Sequence, residues 1–294
     1  MPARGDEKRQ EIEFLLSCLV DTEGPDSRAV VLERLLFLIP FGHHPSLYVE
    51  QLNDPGVRLI LREQYLRFLN ELKLRHDLKK LMEDPRLDVD LERGAFLISR
   101  LGEDMEITPE QFRDALDEIA DPLRETLAAN PAQDHEERIA AFRQFLFVEQ
   151  RFSGNTDNYY DPQNSFLTHV LERRMGIPVS LSVLCMLIGQ RVDLPLYGVN
   201  LPGHFILKYS ADDYVIYLDP FNDGNLLSEN DCLNFLVRQG LEPSSVYLAR
   251  TSSLTILKRM YRNLINYHSA CGNVRMEKIL RQHFSILENH SIRS

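Results

Sequence analysis

The run from Met175 to Gln190, MGIPVSLSVLCMLIGQ, holds no charged residue over 16 positions. A bilayer span needs roughly 20 apolar residues, so this stretch is too short to cross a membrane. It is apolar around its whole helical circumference, and such a helix has to be buried on all sides. Gly176-Ile177-Pro178 breaks the chain just before it and supplies a first-turn proline with φ already set. The pattern predicts a central helix from about Val179 to Val192. Everything else in the chain has to supply its shell, and 294 residues are enough to do so without disulfides.

The first 150 residues read as helices, with apolar positions at helical spacing in EIEFLLSCLV, SRAVVLERLLFLI and VRLILREQYLRFLNELKLRHDLKKLM. Asp54-Pro55 forms an N-cap and first turn for the third of these, and Asp84-Pro85 is expected to stop it. Thr108 and Gln111 have the spacing of a capping box ahead of FRDALDEIADPLRETLAAN. After the central helix come strand-like runs, LYGV, HFILKY and YVIYLDPF, with Ala211-Asp212-Asp213 as a hairpin turn. Ser228 is expected to cap a helix running through Val237. The last 44 residues form two helices joined near Gly272, with the length of one tetratricopeptide repeat. One such pair cannot bury its own face and must pack on the body or on a partner. The fold class is therefore α+β. The chain is divided into a helical arm (1–84), a core with its preceding helices (85–248) and a helical hairpin (249–294).

The net charge of −11 argues against a general nucleic-acid binder. The charge is uneven: residues 250–294 carry eight Lys and Arg against two Glu, a basic tail on an acidic body. Docking of that tail on the body, or on an acidic partner, is the expectation. Four cysteines, Cys18, Cys185, Cys232 and Cys271, stand far apart with no CxxC. HExxH, EF-hand and phosphate-loop motifs do not occur, and His43-His44 has no third ligand at helical or hairpin spacing. Neither a metal nor a cofactor is expected. The charged start, MPARGDEKRQEIEF, does not read as a signal peptide. These features together suggest a reducing cytoplasm.

The ordered strings NYYDPQNSFLTHVLERRMGIPVSLSVL, LPLYGVNLPGHFILKY and YLDPFNDG resemble the bacterial SirB family. That resemblance extends over about residues 85–290. It implies a transglutaminase-like core of the papain-like superfamily, a buried helix on a small antiparallel sheet, followed by tetratricopeptide-like helices. In active relatives a cysteine opens the core helix, a histidine on the next strand is the base, and an aspartate one strand later orients it. His204, following Leu201-Pro202-Gly203 and starting a strand, matches the histidine. Asp219, in Leu218-Asp219-Pro220-Phe221-Asn222, matches the aspartate. Without the resemblance, His204 reads as a hydrogen-bonded core histidine and Asp219 as a turn former. Pro178 stands where the family cysteine would be.

Three residues stand near enough in sequence to replace the nucleophile. Ser180 lies in the first helical turn, where the helix dipole would help an alkoxide; its alternative is a serine bonding the backbone. Ser182 is a turn further on. Cys185 shares the face of Pro178 but sits about 10 Å deeper along the axis, at 1.5 Å per residue, and reads as a core cysteine. The loop before the helix offers Asn158, Tyr159, Tyr160 and Asn164 as cleft or ligand contacts, with capping equally open for both asparagines, and Pro178 at the helix start is expected to line the same cleft. Arg173 or Arg174 is expected to bind a carboxylate, with Asp161 or Glu172 as candidates. Tyr261 and His268 are read as packing.

These features support a degenerate, non-catalytic transglutaminase-like protein, a pseudoenzyme that binds a protein or peptide partner. One alternative is an amide-bond hydrolase or acyltransferase using Ser180, His204 and Asp219. Another is a helical-repeat scaffold built from the arm and tail. The expected partner is neither a nucleic acid nor a membrane; oligomeric state, substrate and partner identity stay open.

Overall fold

A computed structural model of the chain describes residues 4–22, 24–83, 88–102, 107–130 and 134–291. The arm begins with α1 (Arg4–Asp21) and α2 (Pro25–Leu38), which pack together, followed by α3 (Ser46–Val49) and α4 (Pro55–Ile60). Asp54 caps α4, accepting from the backbone N–H of Gly56 at 2.8 Å and of Val57 at 3.2 Å. A π-helical segment, Leu61–Tyr65, carries the chain from α4 into α5 (Leu66–Leu81). Ile12, Leu16, Leu35, Val49, Leu61 and Leu69 belong to a hydrophobic cluster of the arm's own. The expected stop at Asp84-Pro85 lies outside the described residues; α5 itself ends at Leu81.

The arm joins the rest through buried polar groups. Lys73 and Asp77, one helical turn apart, form an ion pair with both residues 1% exposed. Asp77 also accepts from the Gly42 N–H at 2.9 Å, and the Arg100 guanidinium donates to the Gly42 carbonyl and to Asn70 Oδ1. Burial pushes the Lys73 ammonium below its ordinary range, and Asp77 opposes that shift. Breaking such a pair from one side leaves a buried charge uncompensated.

The shell of the core comes next: α6 (Leu91–Ser99), α7 (Pro109–Ala129) and α8 (His135–Arg143). The capping box of Thr108 and Gln111 opens α7, and Asp134 with Glu137 does the same for α8. A short parallel pair, β1 (Ser153–Gly154) and β2 (Met175–Gly176), brackets α9 (Leu167–Arg173). The central helix is α10 (Pro178–Arg191), buried without interruption from Pro178 to Gly189. It starts one residue before the predicted Val179, because Pro178 takes the first helical position.

α10 packs on an antiparallel sheet of order β3-β4-β5-β6: β3 (Leu196–Val199), β4 (Ile206–Ala211), β5 (Tyr214–Asp219) and β6 (Asn225–Leu227). Asp212, in the left-handed region at φ 46°, turns β4 into β5. β6 was not anticipated, since three residues are too few to show alternation. His204 does not start a strand as expected. Gly203 at φ 75° sits in a turn, and β4 begins two residues after the histidine.

Ser228 caps α11 (Glu229–Arg238) through the Asp231 N–H. The chain ends in α12 (Ser253–Ala270) and α13 (Val274–Ser291), joined through Gly272 at φ 69°. This hairpin packs on the body. Ile256, Leu257, Met260, Tyr261 and Leu264 of α12 lie in the main core, α12 meets α6 and α10, and α13 meets α5. Gly94 of α6 permits the approach, since a Cβ there would lie 2.4 Å from Leu257 Cδ1. Basic residues of the tail take part: Arg275 pairs with Glu71, and Arg259 bonds the Leu201 carbonyl at 3.0 Å.

α10, buried along its length, is the element around which the core is packed. Leu184, 0% exposed on that helix, should cost about 2–5 kcal/mol when replaced by Ala, read from equilibrium denaturant unfolding.

Candidate functional site

The site lies where the ends of β4 and β5 meet the start of α10. The register pairs Leu207 with Leu218, so the chain just before β4 runs past the last residue of β5. His204 and Asp219 meet there: His204 Nε2 lies 2.7 Å from Asp219 Oδ2. The histidine side chain is 15% exposed and the aspartate side chain 9%.

Asp219 is held by more than the histidine. Its Oδ1 accepts from the backbone N–H of Phe221 at 3.1 Å and of Asn222 at 3.3 Å, capping the 3-10 turn Pro220–Asn222. Its Oδ2 also accepts from Asn222 Nδ2 at 2.7 Å. Burial pushes the carboxyl up, but the His204 ring and the Asn222 donors outweigh it and hold the group below the usual carboxylate range. An ionised Asp219 is acceptor-only, so His204 Nε2 carries the proton it donates. In the neutral ring, Nδ1 is then the acceptor.

Gly154 brings the start of α10 to this place. It pairs with Gly176, two residues ahead of Pro178, while a Cβ on Gly154 would lie 2.4 Å from the Phe221 carbonyl oxygen. The 3-10 turn that follows Asp219 therefore abuts the strand pair leading into the helix. Phe221 also forms part of an aromatic wall. Its ring is edge-on to Tyr159 at 5.7 Å and to His204 at 6.5 Å, and Phe235 lies 5.8 Å from His204.

The other sequence candidates fall into different places. Tyr159 is on the wall, and Tyr160, 78% exposed, touches it edge-on at 5.3 Å. Asn164 is fully buried and organises the loop: its Nδ2 donates to the carbonyls of Asn158 at 2.8 Å and Tyr159 at 3.2 Å, and its Oδ1 accepts from Asn155. Asn158 takes part through its backbone, donating its N–H to Asn155 Oδ1 at 3.0 Å. Arg173 pairs with Asp161 at 2.9 Å, whereas Arg174 stacks over Phe152.

Pro178 opens α10. The structure does not pair Ser180 with His204. The Ser180 hydroxyl is fully buried, lies 2.5 Å from the Asn164 carbonyl and 3.1 Å from the Ile177 carbonyl, and accepts from the Ile177 N–H at 3.1 Å. This is the backbone-bonding serine of the alternative reading. Ser182 is fully buried too. Cys185 is 2% exposed, and burial pushes its thiol well up. Among the described residues no hydroxyl or thiol is hydrogen-bonded to the His204 ring.

Of the other histidines, His43 pairs with Glu110 at 3.5 Å and His44 bonds Ser46. Tyr261 is buried in the core and bonds His283. Sequence reasoning missed Asn222, although an Asn three residues after an Asp in Asp-Pro-Phe-Asn is a visible capping spacing. It also missed Phe235 and Arg259. Arg259 reaches from α12 to the Asn200 and Leu201 turn before His204 and lies over Phe205; nothing in the local sequence links those segments.

With this geometry in place, comparison with known proteins identifies the class. The chain belongs to the transglutaminase-like superfamily, whose family model matches residues 110–262. A UPF0162 protein of Xylella fastidiosa is 41% identical over 143 residues, 46% of this chain and 50% of that one. A UPF0162 protein of Vibrio cholerae is 36% identical over 152 residues, 51% of this chain and 54% of that one. Human F-box only protein 21 is 30% identical over 152 residues, 49% of this chain and 24% of that one. The chain thus spans about half the length of these bacterial relatives. No solved structure matches. Among the described residues, no helix is long and apolar enough to cross a membrane.

Asp219 also sets a pH dependence. Its folded pKa lies below the unfolded value of about 3.9, so its stabilisation is complete above that value and is lost as pH falls through the lower folded pKa. Denaturant midpoints measured from pH 6 down to pH 3 should fall less steeply in Asp219→Asn than in the wild type, with the variant less stable at pH 6.

Proposed function

We propose that this protein is a non-catalytic transglutaminase-like module whose cleft binds a peptide segment at the His204–Asp219 pair. The observation that carries this reading is the engagement of the Ser180 hydroxyl. It is tied to Asn164 and Ile177, while the first helical position belongs to Pro178. A base and its orienting carboxylate, with no nucleophile beside them, do not perform acyl transfer. With the ring neutral they offer one acceptor, His204 Nδ1, next to an aromatic wall of Tyr159, Phe221 and Phe235. An acceptor of that kind suits the N–H of a peptide or side-chain amide, and the wall suits its apolar neighbours.

In this reading the SirB-type C-terminal hairpin is structural support. Arg259 of α12 holds the turn ahead of His204, so the hairpin acts on the cleft from behind. The four free cysteines, of which Cys185 and Cys232 are buried and Cys271 exposed, are compatible with a reducing compartment, and we place the protein in the cytoplasm.

A fluorescein-labelled glutaminyl peptide, followed by anisotropy, tests binding, and ammonia release in the presence of a primary amine tests chemistry. Binding should weaken several-fold in Tyr159→Ala and in His204→Ala, while wild type and His204→Ala release ammonia at the same background rate. Ammonia release by the wild type that disappears in a folded His204→Ala variant would establish the amide-transfer reading instead.

A further inference from the structure

A well-formed cavity lies away from His204. It has a volume of about 620 Å³ and lies between the arm, the end of α6 and the start of α13. That volume is typical of a small-molecule site. In a chain of net charge −11, the described lining reverses sign: among the described residues, Arg62, Arg67, Arg100 and Arg275 stand against the carboxylate of Glu71. Arg62 pairs with Glu50, Arg275 with Glu71, and Arg100 holds Gly42 and Asn70. Arg67, exposed at the mouth, forms no ion pair with another described residue. Leu66, Leu74, Met276 and Ile279 give the same cavity an apolar wall.

His283 makes this more than a basic dent. It lines the cavity, is 1% exposed, and its Nε2 has no hydrogen-bond partner among the described residues. Its Nδ1 lies 3.3 Å from the hydroxyl of Tyr261, which is itself 1% exposed. A buried hydroxyl needs an acceptor, and leaving it without one costs about 1–3 kcal/mol. Nδ1 is the acceptor available, which leaves the proton on Nε2, on the opposite side of the ring. Burial, assisted by Arg75, pushes the His283 pKa down to about 4, so the ring is neutral at pH 7 and keeps that tautomer. His283 thus brings an N–H without a partner among the described residues to a cavity that four arginines also line, and such a donor asks for an oxygen that only accepts.

We propose that this cavity is a binding site for a small organic anion, with a carboxylate or phosphate head toward His283 and the arginines and an apolar body against Leu74, Met276 and Ile279. The site is independent of the His204 cleft. Its occupant would join the arm to the C-terminal hairpin, because Arg67 comes from one and His283 from the other.

Isothermal titration of the full chain tests this with octanoate, phenyl phosphate, inorganic phosphate and octanol. At least one of the first two should bind saturably with one site per chain, and which of them does so distinguishes a carboxylate from a phosphate head. Inorganic phosphate, lacking a body, and octanol, lacking a charge, should bind at least about tenfold more weakly. Arg67→Glu, at the exposed mouth, should weaken the anion about tenfold by reversing one charge, and Met276→Trp should weaken it by filling the wall. His204→Ala should bind like the wild type. The proposal is overturned if neither anion with a body binds saturably, if octanol binds as tightly, or if both cavity variants, folded by circular dichroism, bind as the wild type does. Loss of anion binding in His204→Ala would overturn the independence of the two sites.

Discussion

The carboxylate of Asp219 is the point on which the site is built. It is the last residue of β5 and gathers donors from the His204 ring, from the Asn222 side chain and from two backbone N–H groups. Each donor belongs to a different structural obligation. The ring fixes the turn before β4, and the backbone groups start the 3-10 turn that carries Phe221. Phe221 in turn touches Gly154, whose strand leads into α10. A buried carboxylate with its lone pairs satisfied is affordable where a lone one would not be. The same contacts that keep it ionised align the loop, the sheet end and the helix start.

The helix start shows what this alignment is used for. The first turn of an α-helix has N–H groups with no partner inside the helix, which can stabilise an oxyanion or a thiolate. Here Pro178 contributes no N–H at the first position, and Ser180 closes back onto Ile177 while gripping the Asn164 carbonyl. Asn164 in turn holds the carbonyls of Asn158 and Tyr159. The serine thus acts as a clasp between the helix and the aromatic loop. It fixes where Tyr159 stands beside Phe221 and His204, giving the loop a structural reason for a serine at the place where a reactive hydroxyl would be sought.

Much of this was readable from the residues. The uncharged run could only be a buried helix, and Asp54, Thr108 and Ser228 announced their helices through capping chemistry that depends on near neighbours alone. His204 and Asp219 were recognisable from their order and their resemblance to a family pattern. What escaped were relations that depend on distant segments. Whether Ser180 would face His204 or the backbone turned on Asn164, 16 residues earlier. The hold of Arg259 on the turn before His204 crosses more than 50 residues. β6 carries too few positions for a period, and His204 falls outside its strand because Gly203 turns the chain first. The basic cavity was invisible for the same reason: its arginines come from the π-helical segment and α5, from the residue after α6 and from α13, and only the hairpin's docking on the arm puts them on one wall.

α10 begins without a nucleophile, and its serine is structural. Intact-mass and peptide mapping after treatment with a fluorophosphonate, which labels hydroxyls activated by a neighbouring base, tests it most directly. No adduct is expected on Ser180 in the native protein or in His204→Ala. A stoichiometric adduct on Ser180 that forms in the wild type and is lost in His204→Ala would contradict it, because it would place an activated hydroxyl where the structure has a clasp.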